Sequence, residues 1–111
     1  MNNRIVVIIA TADPVKAEAG MMYAVNSLKY EWMDDVKLVF FGPAEKALLD
    51  DPDMQELLLE FHRQDRTAVA CRFLAERDGH DTGLNDLGLD VQYVGSLISG
   101  YIKDGYTPMV W

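Results

Sequence analysis

The chain opens with an uninterrupted apolar run, Ile5 to Ala10, rich in β-branched residues and without polar alternation. A strand that is apolar at every position has both faces covered, so the run predicts a central strand, near Arg4 to Ala10, in a parallel sheet. Asp13-Pro14 reads as an N-cap followed by proline at the first helical position. Two neighbouring stripes at helical spacing follow: Val15, Ala19, Met22 and Asn26, then Met21, Ala24, Val25 and Leu28. A long helix toward Trp32 is therefore expected. Val36 to Phe41 repeats the strand pattern and ends at Gly42-Pro43, where a short helix through Leu48 and Leu49 begins. Asp51-Pro52 caps another helix. Its Met54, Leu57, Leu58 and Phe61 fall at i, i+3, i+4 and i+7 on one face, leaving Glu56, Glu60, Arg63 and Gln64 to water.

Thr67 to Cys71 is a short apolar strand that runs directly into a helical segment, Arg72 to Asp78, stopped by Gly79. The stretch from Gly79 to Asp90, with three glycines and three aspartates, reads as the least ordered part of the chain. A strand near Val91 to Val94, a turn at Gly95-Ser96, a helix through Ile102 and a last strand, Thr107 to Trp111, complete the series. Gln92 and Pro108 place the last two strands at sheet edges, because proline cannot donate to a central ladder. Strands alternating with helices require right-handed crossovers. The expected fold is one α/β domain over residues 1–111, three α/β/α layers around a five-stranded, mostly parallel sheet.

Composition narrows the function classes. Ten Lys and Arg stand against 18 Asp and Glu in 111 residues, a formal charge of -8. No global attraction for nucleic acid or an anionic membrane follows from that balance. The apolar start is too short for a signal peptide or a membrane span, and a single cysteine cannot close an intramolecular disulfide. These features fit a cytoplasmic protein with neither nucleic acid nor membrane as partner.

Cys71 is the most informative residue for chemistry. Open α/β sheets place their sites at the carboxyl ends of strands, and this thiol falls at one, where a helix begins and Arg72 follows. The competing reading is a buried cysteine serving as a small apolar residue. Without a second cysteine a dithiol oxidoreductase lacks its resolving partner, so sulfur chemistry here would be intermolecular. His62 and His80 read as structural or solvated, no zinc-ligand spacing is present, and no cofactor or metal is expected. Asp34-Asp35, Asp50-Asp51 and the aspartates around the glycine-rich stretch are explained by turn and cap chemistry, and match no EF-hand. G-x-G-x-x-G and P-loop patterns are absent, leaving Gly42-Pro43 and Gly95-Ser96 as weak anion-binding turns. Tyr23, Tyr30, Trp32, Tyr93, Tyr101, Tyr106 and Trp111, with methionines at 21, 22, 33 and 54, supply core and subunit-interface surface.

Three segments together resemble the DsrE/DsrF-like family of small sulfur-relay proteins: the opening strand, acidic-proline turn and long helix; TAVACRFLAERDG; and LGLDVQYVGSLISGYIKDGYTPMVW. The resemblance spans essentially the whole chain. It implies a DsrEFH-like parallel sheet of five strands, with the first strand interior and the last beside it at an edge, and a homo-oligomer, commonly a trimer or hexamer. It also implies a persulfide on Cys71, passed from a donor to an acceptor protein. Arg72, Thr11, Gly42, Gly95 and Ser96 are the candidate neighbours, since each follows or ends a strand on the same sheet edge. The alternative is a small-ligand-binding or assembly module of the same fold in which Cys71 only packs.

Overall fold

The computed structural model describes residues 3–111. Its strands are β1 (Arg4–Ile9), β2 (Asp35–Phe40), β3 (Val69–Cys71), β4 (Asp90–Gln92) and β5 (Thr107–Val110). Its helices are α1 (Pro14–Lys29), α2 (Pro43–Asp50), α3 (Pro52–His62), α4 (Arg72–Asp78), α5 (Asp81–Asp86) and α6 (Val94–Lys103). The strands form one sheet in the order β4-β3-β2-β1-β5, and every neighbouring pair is parallel. β4 and the Pro108-bearing β5 are the edges, as the proline and Gln92 indicate.

Three successive steps, β1 to β2 to β3 to β4, move the chain across the sheet in one direction. Right-handed crossovers therefore put the connecting helices on one face, and only the return from β4 to β5 crosses the other. The core divides accordingly. On the first face Val7, Ile9, Leu38 and Phe40 pack against Met21 and Ala24 of α1, Leu48 of α2, Met54 and Phe61 of α3, and Leu84 of α5. On the second face Val6, Val39, Val69 and Cys71 meet Val94, with Leu97, Ile98 and Tyr101 of α6 packed around them. The α/β/α layering is thus unequal, thick on one side and a single helix deep on the other.

Asp13 and Asp51 cap α1 and α3, accepting from the backbone N–H groups of Val15 at 3.0 Å and Asp53 at 2.9 Å. On α1 the buried stripe is Ala17, Gly20, Met21, Ala24, Val25 and Ser27. Of the two expected stripes the one carrying Val15 and Met22 faces outward, because the small residues Ala17, Gly20 and Ala24 let the other side approach the sheet closely. The glycine-rich stretch after Gly79 is also more ordered than its composition indicates. It holds α5, anchored by the fully buried Leu84.

At the amino edge of the sheet Asp35 accepts from Tyr106 Oη and from Arg66 Nε at 2.8 Å, with Lys37 Nζ 3.4 Å away. Burial pushes its carboxyl up, but these partners outweigh burial and hold it below the usual carboxylate value. His62 Nε2 accepts from the Ala68 N–H at 3.2 Å, tying the end of α3 to the start of β3, and its burial lowers its pKa.

Close packing of α1 on the sheet is testable at Gly20. A Cβ there would lie 2.5 Å from Trp111 Cγ and 2.7 Å from Ile9 Cδ1. Gly20→Ala is expected to destabilise the protein by roughly 1–3 kcal/mol despite alanine's better helix propensity. Gly100→Ala in α6, with no neighbouring atom within 4 Å, is expected to stabilise it by about 0.5–1 kcal/mol. Urea denaturation of the two variants against the parent checks both signs.

Candidate functional site

In a parallel sheet the residues that follow each strand collect at the carboxyl edge, which here brings together Thr11, Gly42, Cys71 and Tyr93. Cys71 is the last residue of β3, pairs with Gln92 of β4, and serves as N-cap of α4 without a side-chain capping hydrogen bond. Strand alternation turns its side chain to the α6 face. There the free thiol packs with Val6, Val39, Val69, Val94 and Tyr106, at 6% exposure. Phe73 of α4 and Tyr93, which follows β4, are 63% and 59% exposed. Arg72 Nε lies 3.2 Å from Glu76 Oε1, and the guanidinium stands 5.4 Å from the Tyr93 ring centroid, so its charge is shared with those groups.

Arg77 is the cation that sequence reading passed over. It donates to both carboxylate oxygens of Asp78, at 3.0 and 3.2 Å. These bonds raise its pKa most, and negative charge at Cys71 adds the smallest contribution. Its place six positions after Cys71 in the chain gives no hint of that proximity without the α4 geometry.

The other expected neighbours are spread around the edge. Thr11 Oγ1 accepts from the Asp13 N–H at 3.1 Å, shaping the turn into α1. Gly95 and Ser96 lie in the exposed first turn of α6, not in a turn ahead of it, because the helix starts at Val94. Gly42, at φ 69°, is the N-cap of α2. It lines a cavity of about 420 Å³ with Ala12, Pro43, Lys46, Asp78 and His80. Cys71 is not part of that lining. The edge therefore carries two separate features, a thiol against α6 and a cavity beside α2.

Behind the cavity wall lies a second residue missed in the sequence. Glu45, the third residue of α2, is 2% exposed. Its carboxyl accepts from the Gly42 N–H, as a glutamate at that position does when it reaches back to its N-cap, while Oε2 has no partner. Burial first, and the nearby Asp78 charge second, raise its pKa to about 7. The spacing Gly42-Pro43-Ala44-Glu45 was the available signal.

No family model matches the chain, and no curated protein does. Among solved structures it is similar to a conserved protein of unknown function from Bacteroides thetaiotaomicron, at 26% identity and a TM-score of 0.83. The alignment covers 96% of this chain and 93% of that one, so the likeness extends through all the elements described above. Among the described residues no helix is long and apolar enough to cross a membrane.

The buried acid makes stability pH-dependent in a defined direction. Its folded pKa, about 7, lies above the ordinary 4.5, so the folded chain binds the extra proton between those values. The contribution is complete below pH 4.5 and is lost as pH rises through 7. Glu45→Gln, neutral at every pH, is expected to gain on the order of 1–3 kcal/mol over the parent at pH 8 and to lose that advantage in acid. Denaturation curves across the range would read this; a constant difference would show that Glu45 is not titrating inside the fold.

Proposed function

We propose that the protein is a sulfur carrier of the DsrE/DsrF-like kind, holding sulfane sulfur on Cys71. The observation that carries this reading is the position of the chain's one thiol, at the carboxyl end of interior strand β3 and at the start of α4. The TAVACRF segment and the interior place of β1 beside edge strand β5 agree with what the family resemblance implies. In the proposed step the Cys71 thiolate attacks the outer sulfur of a donor persulfide. The donor S–S bond breaks as the Cys71 S–S bond forms, the donor leaves as a thiolate, and no net oxidation occurs. An acceptor thiolate then takes the terminal sulfur and releases Cys71 as thiolate. Donor and acceptor are proteins in this reading, and the protein works in the cytoplasm as a homo-oligomer, a trimer or hexamer. Exposed Val15, Met22, Tyr30 and Trp32 offer apolar surface for its interfaces.

The 6% exposure of Cys71 and its packing under α6 favour a second reading, a binding or assembly module in which the thiol only fills space. Intact-protein mass spectrometry separates the two. After exposure to a persulfidated donor the carrier is expected to gain about 32 Da per sulfur atom, mapped to Cys71 and lost on addition of a thiol acceptor. An absent adduct on folded protein, or an equal adduct on Cys71→Ser, rejects sulfur carriage and leaves the module reading.

A further inference from the structure

The outward stripe of α1, which the fold turns away from the sheet, has the spacing of a helix–helix seam. Val15, Ala19, Met22 and Asn26 are separated by four, three and four residues, and Tyr30 lies four further on. A repeat of about 3.5 residues is the one that keeps a seam facing a neighbouring helix. None of these residues is charged. Val15 is 73%, Met22 50% and Tyr30 56% exposed.

Just past the helix end Glu31 takes the left-handed conformation, at φ 56°, where glycine is the usual residue. The turn brings Trp32 back beside α1, its ring centroid 6.3 Å from that of Tyr23 and 5.7 Å from that of Tyr30. Trp32 is nonetheless 55% exposed. A backbone conformation unfavourable to glutamate thus holds an aromatic cluster at the surface, and tryptophan and tyrosine are the residues that anchor protein interfaces. The exposed parts of Val15, Met22, Tyr30 and Trp32 together present on the order of 400 Å², enough for the apolar centre of an interface of about 800 Å² per partner.

Charge selects the occupant. The charged residues of α1 are Lys16, Glu18 and Lys29, one net positive charge within a chain at -8. Two copies repel each other overall, and least across the element of opposite sign. A basic partner would be steered to the acidic remainder of the surface, whereas a second copy finds in α1 its own complement. With the helices antiparallel and Met22 opposite Met22, Lys29 of one copy falls beside Asp13 of the other, and Lys16 beside Glu31. A parallel pairing would instead set Lys16 against Lys16 and Lys29 against Lys29, with the helix dipoles aligned.

We propose that α1 docks a second copy of this chain, the two helices packing antiparallel about a two-fold axis at Met22, with Tyr30 and Trp32 closing each end of the seam. This names a surface and a symmetry for the homo-oligomer put forward above, and it stands whether or not Cys71 carries sulfur. A trimer assembled through other surfaces becomes a hexamer by this contact.

Sedimentation equilibrium of the full chain and cysteine cross-linking test it. Met22→Cys and Val15→Cys are placed singly in the Cys71→Ser chain and oxidised. Met22→Cys, at the axis, is expected to give disulfide-linked pairs in high yield. Val15→Cys is expected to give few, because antiparallel copies hold position 15 about 20 Å apart. Met22→Lys and Trp32→Ala are each expected to raise the dissociation constant of the contact about thirty-fold or more. Both side chains are half-exposed, and thermal melts establish that the variants are folded. A parent chain that stays monomeric up to millimolar concentration overturns this proposal and the oligomer reading together. Association that neither Met22→Lys nor Trp32→Ala weakens overturns the α1 surface and leaves an oligomer built through another. Equal cross-linking at positions 15 and 22 overturns the antiparallel two-fold arrangement. Sulfur carriage is read separately, by the mass gain at Cys71, and none of these outcomes bears on it.

Discussion

The reversal of direction between β4 and β5 governs the rest of the molecule. A right-handed crossover admits one face for each direction of travel across a parallel sheet. With four strands laid down in one direction and the last returned beside β1, one connection alone is available to cover the second face. That connection is α6, ten residues long, with Val94 as its one buried position. The first face receives α1, α2, α3 and α5 and most of the large buried side chains. The two hydrophobic layers thus differ in depth because of topology, before any side chain is chosen.

Both chemical features of the carboxyl edge inherit this asymmetry. β3 contributes only three residues to the sheet, and alternation within them sends Ala70 to the thick side and Cys71 to the thin one. The thiol is buried in a layer one short helix deep, α6, closed at its sides by Tyr106 and Leu74. The cavity beside α2 lies at the start of that helix, where Gly42 lines it and Glu45 reaches back to the same residue. Glu45 reaching back to Gly42 and Asp51 capping α3 are ordinary helix-start devices.

Much of this architecture is legible in the sequence because it rests on local rules. The unbroken apolar run from Ile5 in β1, the Asp-Pro helix starts and Pro108 at an edge each have a direct physical meaning, and together they limit the sheet to few arrangements. What escapes is decided by contacts between distant segments. The stripe of α1 that is buried depends on how closely Gly20 meets Trp111, and α5 hides in a glycine-rich stretch because Leu84 alone anchors it. A three-residue strand is too short to display alternation, so nothing in TAVAC reveals which face receives the thiol. Glu45 is enclosed only once the chain is folded. Arg72 follows the thiol directly, yet its guanidinium turns to Glu76 and Tyr93.

The central claim, that Cys71 belongs to the thin layer beneath α6, with Tyr106 and Leu74 in the same cluster, is tested most directly by the kinetics of thiol labelling in native protein. With a small aromatic disulfide as reagent, labelling is expected to exceed the rate set by global unfolding and to vary little with urea at low concentrations, as exposure through local opening requires. Leu97→Ala is expected to accelerate it by more than it raises the global unfolding constant. Labelling that follows global unfolding at every urea concentration, in the parent and in Leu97→Ala alike, would contradict the account.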